Sequence, residues 1–168
     1  MNRLRAVYHF WWALLGALIY RFPSRHLYVI GVTGTKGKTS TVELVNAILE
    51  RAGFRTALSS TLRFKVDQDS QRNRQKMTMP GRLFLQKFLR RAADTGCHYT
   101  IIEMTSEGAR QFRHRFIDMD ALIFTNLAPE HIESHGSYEN YRNAKLSIAR
   151  ALARSGKPRR FMVANSDD

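Results

Sequence analysis

Apolar residues in this chain follow two patterns: short, nearly unbroken runs, and longer stretches with apolar residues at every third or fourth position. The runs "HLYVIGV" (26–32), "RTALSST" (55–61), "HYTIIEMT" (98–105), "DALIFTNL" (120–127) and "RRFMVAN" (159–165) read as strands, the first as one buried on both faces. Residues 38–53 have helical spacing, which assigns Val42, Leu44, Val45, Ile48 and Leu49 to one side and makes Gly53 a C-terminal stop. Further helices are expected at 81–96, near 107–113 and at 137–156, whereas the polar stretch "RFKVDQDSQRNRQK" (63–76) reads as a surface excursion. Strands alternating with helices imply right-handed crossovers. The predicted fold class is therefore α/β: a three-layer, P-loop-type, mostly parallel sheet with helices on both faces. In such sheets ligands bind at the carboxyl ends of the strands, so the chemistry is expected there.

An apolar helix is expected to precede this sheet. Residues 6–20, "AVYHFWWALLGALIY", are almost continuously apolar and are flanked by Arg3, Arg5, Arg21 and Arg25. A membrane-spanning helix needs ~20 apolar residues; this one is about a turn short and is interrupted by His9. Three roles remain: docking on this or another protein surface, lying at a membrane surface with Trp11 and Trp12 among the headgroups, or serving as a signal segment. The last lacks a convincing small-residue cleavage site. Pro23 and Ser24 are expected to close the helix, dividing the chain into 1–24 and a main domain at 25–168.

At 168 residues the chain suits a single domain with a sizeable core. Lys plus Arg exceeds Asp plus Glu by 27 − 14 = 13, which favours anionic partners without choosing among them. The excess is scattered through "RNRQK" (72–76), "RQFRHRF" (110–116) and "KPRR" (157–160), with no nucleic-acid module signature, so nucleic acid is not an expected partner. Cys97 is the only cysteine, which rules out an intrachain disulfide and agrees with a reducing, cytoplasmic setting. Its place at the entrance to a strand suits a small apolar filler better than a nucleophile.

The stretch "VIGVTGTKGKTSTVELV" (29–45) combines a strand, a glycine-rich loop and a helix start. Gly31, Gly34 and Gly37 are expected to let the loop turn tightly and bring backbone N–H groups against phosphate, helped by the positive helix N-terminus near Lys38. Lys38 would contact the β- and γ-phosphates and Thr39 would ligate Mg²⁺. Five residues separate Gly31 from Gly37 where a Walker A has four, so the strict pattern is not met. Glu103, ending "YTIIE", is a strand-end carboxylate suited to Mg²⁺ beside such a loop, with a capping role as the plainer alternative.

This departure has a match. "GVTGTKGKTST" resembles the ATP loop of the Mur ligase family, Gly-Thr-x-Gly-Lys-Thr-Ser/Thr after a strand. "TNLAPEHIESHGSYENYRNAKLSI" (125–148) resembles that family's Thr-Asn-Leu, Asp-His-Leu-Asp-x-His-Gly and Ala-Lys signature, with Glu130 and Glu133 where aspartates are usual. The ending "VANSDD" resembles its Asn-x-Asp-Asp segment, so the likeness runs over 28–168 in order. The resemblance implies ATP and Mg²⁺ as cofactors. It places ATP against Gly34, Thr35, Lys36, Gly37, Lys38, Thr39, Ser40 and Asn126, and the metal against Thr39, Glu103 and His131. Catalysis falls to Lys38, His131 and Lys145, the last at the position of a lysine that the family carbamylates. That chemistry requires a depressed lysine pKa; the plain alternative is a solvent-facing helix lysine. "MTMPGR" (77–82) and "EMTSEG" (103–108) resemble acceptor-side segments, implicating Thr78, Pro80, Thr105 and Ser106, although Met79 replaces a threonine and Glu107 a histidine.

The implied activity is ATP-dependent amide-bond formation through an acyl phosphate, joining an amino acid to an anionic UDP-N-acetylmuramoyl-dipeptide acceptor in peptidoglycan synthesis. Against the family's plan, the amino-terminal UDP-binding domain is replaced by the apolar helix and the carboxyl-terminal domain is missing, so this chain alone is not expected to complete the reaction. Alternatives are a folylpolyglutamate- or cyanophycin-synthetase-like ligase, a non-catalytic ATP-binding module, and a membrane-associated scaffold built on 6–20.

Overall fold

The structure, a computed structural model, describes residues 3–75, 77–130 and 132–166. Seven strands form one sheet in the order β4-β3-β2-β5-β1-β6-β7. They are β1 (Tyr28–Thr33), β2 (Thr56–Ser59), β3 (Arg63–Val66), β4 (Asp69–Arg72), β5 (Tyr99–Glu103), β6 (Ala121–Phe124) and β7 (Phe161–Ala164). From β2 across to β7 every pairing is parallel, while β3 and β4 add an antiparallel edge. The helices are α1 (Arg3–Ile19), α2 (Lys38–Arg51), α3 (Arg82–Asp94), α4 (Ser106–Arg110), α5 (Ile132–His135) and α6 (Tyr138–Ala153).

Right-handed crossovers determine the layers. The chain leaves β1 toward β2 on one side through α2, then returns toward β5, β6 and β7 through α3, α4 and α6, so the two sets cover opposite faces. Two cores result. Val42 of α2 packs with Ile30, Val32, Leu58 and Ile101 on one face. Leu85 and Leu89 of α3 and Ile148 of α6 join Val29, Ile102 and Leu122 on the other. Successive side chains of β1 thus enter different cores, which is why its run is continuously apolar.

The expected strands form with shorter bounds and the helices form with ends shifted by a few residues, and three expectations are corrected. The polar stretch 63–76 contains a β-hairpin: Phe64 and Val66 pair with Ser59 and Ala57 of β2. Its polarity is accounted for by α2, since Glu43 takes Arg63 (2.6 Å) and Glu50 takes Lys65. Asp67 makes the turn in a left-handed conformation (φ 54°). Secondly, α2 is rotated from the expected face. Val42 and Asn46 are buried, whereas Leu44 and Ile48 are 64% and 67% exposed. Buried Asn46 fits because its Oδ1 accepts from Thr56 (2.7 Å) and its Nδ2 donates to Glu50 (2.8 Å). Thirdly, Gly31 is not a loop glycine. It lies within β1, where a Cβ would meet Met119 Sδ at 2.9 Å and Met104 Sδ at 3.2 Å.

α1 lies on α3 through its small residues. Ala13, Gly16 and Ala17 are buried, and a Cβ on Gly16 would sit 3.3 Å from Leu83 Cδ2. Left-handed Arg21 and Phe22 end it, ahead of a 3₁₀ turn at Pro23–His26. No described helix is long and apolar enough to cross a membrane.

The packing around Gly31 gives a test. Gly31→Ala is expected to lower unfolding stability by about 1–3 kcal/mol with an unchanged denaturant slope, because the two methionine sulfurs must be displaced. Urea titration checks this, and an unchanged midpoint would contradict the packing described.

Candidate functional site

The carboxyl end of β1 runs into a loop that β6 holds in shape. Asn126 Oδ1 accepts from the backbone N–H of Thr35 (3.0 Å) and Lys36 (2.8 Å), while Thr125 Oγ1 and Asn126 Nδ2 donate to the Lys36 carbonyl (2.7 and 3.2 Å). Thr35 is buried, and its hydroxyl meets Ala128 O (3.1 Å) and Tyr141 Oη (2.8 Å). Thr35 and Asn126, expected to touch the nucleotide, are thus engaged here in fixing the loop. Gly34 (φ 147°) has Thr125 and Asn126 where a side chain would stand, and Gly37 (φ 78°) caps α2. Lys36, Gly37 and Ser40 are exposed beside the first turn of α2. The N–H groups of that turn have no intrahelical acceptors and carry the helix's partial positive charge.

Two lysines from distant parts of the sequence converge on one loop carbonyl. Lys38 Nζ donates to Gly34 O (3.0 Å) and Thr35 O (2.8 Å), and Lys145 Nζ, from α6, donates to the same Gly34 O. Lys145 is not the solvent-facing residue of the plain alternative. It is 2% exposed, with its nitrogen 5.0 Å from the centre of the Tyr141 ring. Burial, then the neighbouring Lys38 charge, lowers its pKa from 10.5 to about 7, against an opposing pull from Glu130. Burial also lowers the Lys38 pKa, opposed by Glu103 and Glu130.

A carboxylate stands beside the same loop. Glu103, 1% exposed at the end of β5, accepts from Thr39 Oγ1 (3.0 Å) and from the N–H (2.8 Å) and hydroxyl (3.0 Å) of Thr61. Thr61 also shares a 2.8 Å hydrogen bond with Thr78. Thr39 and Glu103 present oxygen donors only, which fits Mg²⁺, a hard cation commonly held by one or two carboxylates, with water and phosphate completing its shell. Among the described residues no cluster of three or more His, Cys, Asp or Glu offers a protein-only metal cage. His131, the other expected ligand, lies outside the described residues, as do Asp167 and Asp168 of the terminal segment.

The acceptor-side residues divide. Thr78 adjoins the Thr61–Glu103 group, whereas Met79 and Pro80 are buried. Met79 fills the space a side chain at Gly108 would need, so its sulfur goes with glycine there. Thr105 caps α4 by accepting from Gly108 N (3.0 Å). Ser106 is buried and meets His135 Nε2 (3.1 Å), whose ring also lies edge-on to Tyr141. Thr61, Thr125, Tyr141 and His135 were not singled out from the sequence. Thr61 directly follows a strand run, and the other three fall within the 125–148 motif.

The depressed Lys145 pKa has a thermodynamic consequence. Between about pH 7 and 10.5 the unfolded chain holds a proton that folded Lys145 has released, so stability rises with pH across this window. The gain of the native protein over Lys145→Met is expected to grow by up to ~1.4 kcal/mol per pH unit there. Denaturation at several pH values checks it; a pH-independent difference would contradict the burial of this amine.

Comparison with known proteins gives the relatives of the chain. The family model of the Mur ligase middle domain matches residues 32–168. The UDP-N-acetylmuramyl-tripeptide synthetase of Roseiflexus sp. (strain RS-1) is 37% identical over 164 residues, covering 93% of this chain and 32% of that protein. The UDP-N-acetylmuramoyl-L-alanyl-D-glutamate--2,6-diaminopimelate ligase of Geobacillus kaustophilus is 36% identical over 158 residues, again covering 93% of this chain and 32% of the relative. This chain thus spans about a third of the length of these curated relatives. Among solved structures, a UDP-N-acetylmuramoyl-L-alanyl-D-glutamate--2,6-diaminopimelate ligase superposes with a TM-score of 0.68 at 22% identity, over 83% of this chain and 32% of that one. The Mycobacterium tuberculosis folylpolyglutamate synthase complexed with ADP also gives 0.68, at 15% identity, over 90% of this chain and 40% of that one. These last two likenesses concern the fold. By its match to the middle-domain model over residues 32–168, the chain belongs to the Mur ligase family.

Proposed function

We propose that this chain is the nucleotide-handling core of an ATP-dependent ligase that adds an amino acid to a UDP-N-acetylmuramoyl-dipeptide in peptidoglycan synthesis. The observation that carries the proposal is the meeting of Lys38, Lys145 and Glu103 around one loop at the carboxyl ends of β1 and β5. A carboxylate oxygen of the acceptor attacks the γ-phosphorus, the bond to ADP breaks, and an acyl phosphate forms. The amine of the incoming amino acid then attacks the acyl carbon, phosphate leaves, and the amine gives up a proton. Catalysis of this kind rests on positioning and charge neutralisation.

Each residue has a part in that scheme. Lys38 and the first-turn N–H groups of α2 neutralise and orient the terminal phosphates. Thr39 and Glu103, with His131, would hold Mg²⁺, which when bound would offset the charge of the phosphates. Lys145, with a pKa of about 7, is largely neutral slightly above that pH, so its amine can add CO₂, losing a proton to give a carbamate. That step converts a neutral buried amine into an acceptor anion. Thr78, bonded to Thr61 beside Glu103, would contact the acceptor, and Thr105 and Ser106 would act on the acceptor side as well. An excess of 13 positive charges suits so anionic an acceptor.

A second reading changes only the acceptor. Folylpolyglutamate synthase shares the fold, and Met79 and Glu107 depart from the family pattern on the acceptor side.

The test is calorimetry of Mg²⁺-ATP with the full-length protein, followed by phosphate release with candidate acceptors and amino acids. Lys38→Ala is expected to weaken ATP binding at least ~100-fold, the loss of a desolvated charge-assisted contact of roughly 3 kcal/mol. Glu103→Gln is expected to leave metal-free ATP binding close to native while removing its enhancement by Mg²⁺. Phosphate release stimulated by UDP-N-acetylmuramoyl-dipeptide plus an amino acid supports the first reading; stimulation only by a folate acceptor overturns it in favour of the second.

A further inference from the structure

We propose that the outer face of α1 is a docking surface for an anionic lipid bilayer, on which the protein lies without spanning it. This goes beyond the ligase reading and does not rest on it. The helix is inverted relative to an ordinary surface helix. Its small residues Ala13, Gly16 and Ala17 face α3, while Leu4, Tyr8, Trp11, Leu15 and Leu18, spaced by four, three, four and three residues, form an outward stripe. Their exposures are 78%, 57%, 61%, 44% and 55%. Isolated exposed apolar residues need no explanation, but a continuous stripe along a whole helix marks an interaction surface.

Charge selects the occupant. Exposed Arg3, Arg5 and Arg21 bracket the stripe, and the sequence holds no Asp or Glu before Glu43. A second copy would bring the same arginines together, on a chain whose net charge is +13. A bilayer with acidic headgroups meets both features: arginines attract the surface, and the apolar stripe enters the headgroup–acyl boundary. Trp11 is exposed at mid-helix and Trp12 beside it is half-exposed, and the indole suits that boundary because it joins an apolar ring to a polar N–H. The helix is too short to span, so it lies in the interface plane.

The experiment is vesicle co-sedimentation of the full-length protein, so that any segment beyond this chain is present to cover the helix. Phosphatidylcholine vesicles with and without phosphatidylglycerol are compared at low and high salt. The native protein is expected to pellet with the anionic vesicles and to be released by salt or by omission of phosphatidylglycerol. Trp11→Gln/Leu15→Gln/Leu18→Gln, which leaves the residues against α3 intact, is expected to reduce partitioning roughly ten-fold or more, with an unchanged circular dichroism spectrum and melting temperature. Arg3→Gln/Arg5→Gln is expected to weaken binding several-fold and flatten its salt dependence. Native-like binding by the triple variant would overturn the proposal, placing the attraction elsewhere on the basic surface. Failure of the folded native protein to pellet would also overturn it, as would a native dimer in light scattering that the triple variant dissolves without any lipid binding.

Discussion

The site is organised around the Gly34 carbonyl, which accepts hydrogen bonds from both Lys38 and Lys145. Two ammonium groups drawn to one buried oxygen repel each other, and the more deeply buried loses its proton more readily. The carbonyl can occupy this position only because Gly34 adopts φ 147°, with Thr125 and Asn126 where a side chain would stand. The arrangement leaves a concentration of positive charge and helix N–H groups next to two carboxylates, Glu103 and Glu130. On the proposed function, an incoming polyphosphate would relieve this imbalance, as would conversion of Lys145 to a carbamate. Both responses use the same electrostatics.

The fold brings these groups together from separate parts of the sequence. β1 lies between β5 and β6, so its carboxyl end delivers the loop beside Glu103 on one side and Asn126 on the other. α6 then returns over the sheet and places Lys145 and Tyr141 behind the loop. Burial of Ile148 and Leu152 in the same helix fixes its rotation, and with it the direction of Lys145. Packing energy thereby holds a lysine amine in an environment it would otherwise avoid.

Much of this was legible in the sequence. The strand runs, the crossover helices and the phosphate loop stand out because apolar periodicity and glycine spacing are local properties. The hairpin at 63–72 was hidden because its Arg63 and Lys65 are matched by Glu43 and Glu50 on α2, a pairing visible only after folding. Leu44 and Ile48 were assigned inward because composition outweighed the placement of Asn46, whose burial depends on Thr56 and Glu50. Within the site, Lys38, Glu103 and Lys145 were named from motif and strand position. Thr61 was missed because its role depends on the close approach of the β2 end to β5. Gly31 matched the spacing of a loop glycine yet serves core packing, since sequence spacing does not show where a strand ends.

The most direct measurement is the number of protons exchanged when Mg²⁺-ATP binds, obtained by calorimetry near pH 7.5 in CO₂-depleted buffers of different ionisation enthalpy. If a neutral Lys145 faces the site, the arriving phosphates raise its pKa and the complex takes up a proton, a signal absent in Lys145→Met. Equal proton exchange by the native and substituted proteins, both binding ATP, would contradict the coupling of this amine to the nucleotide.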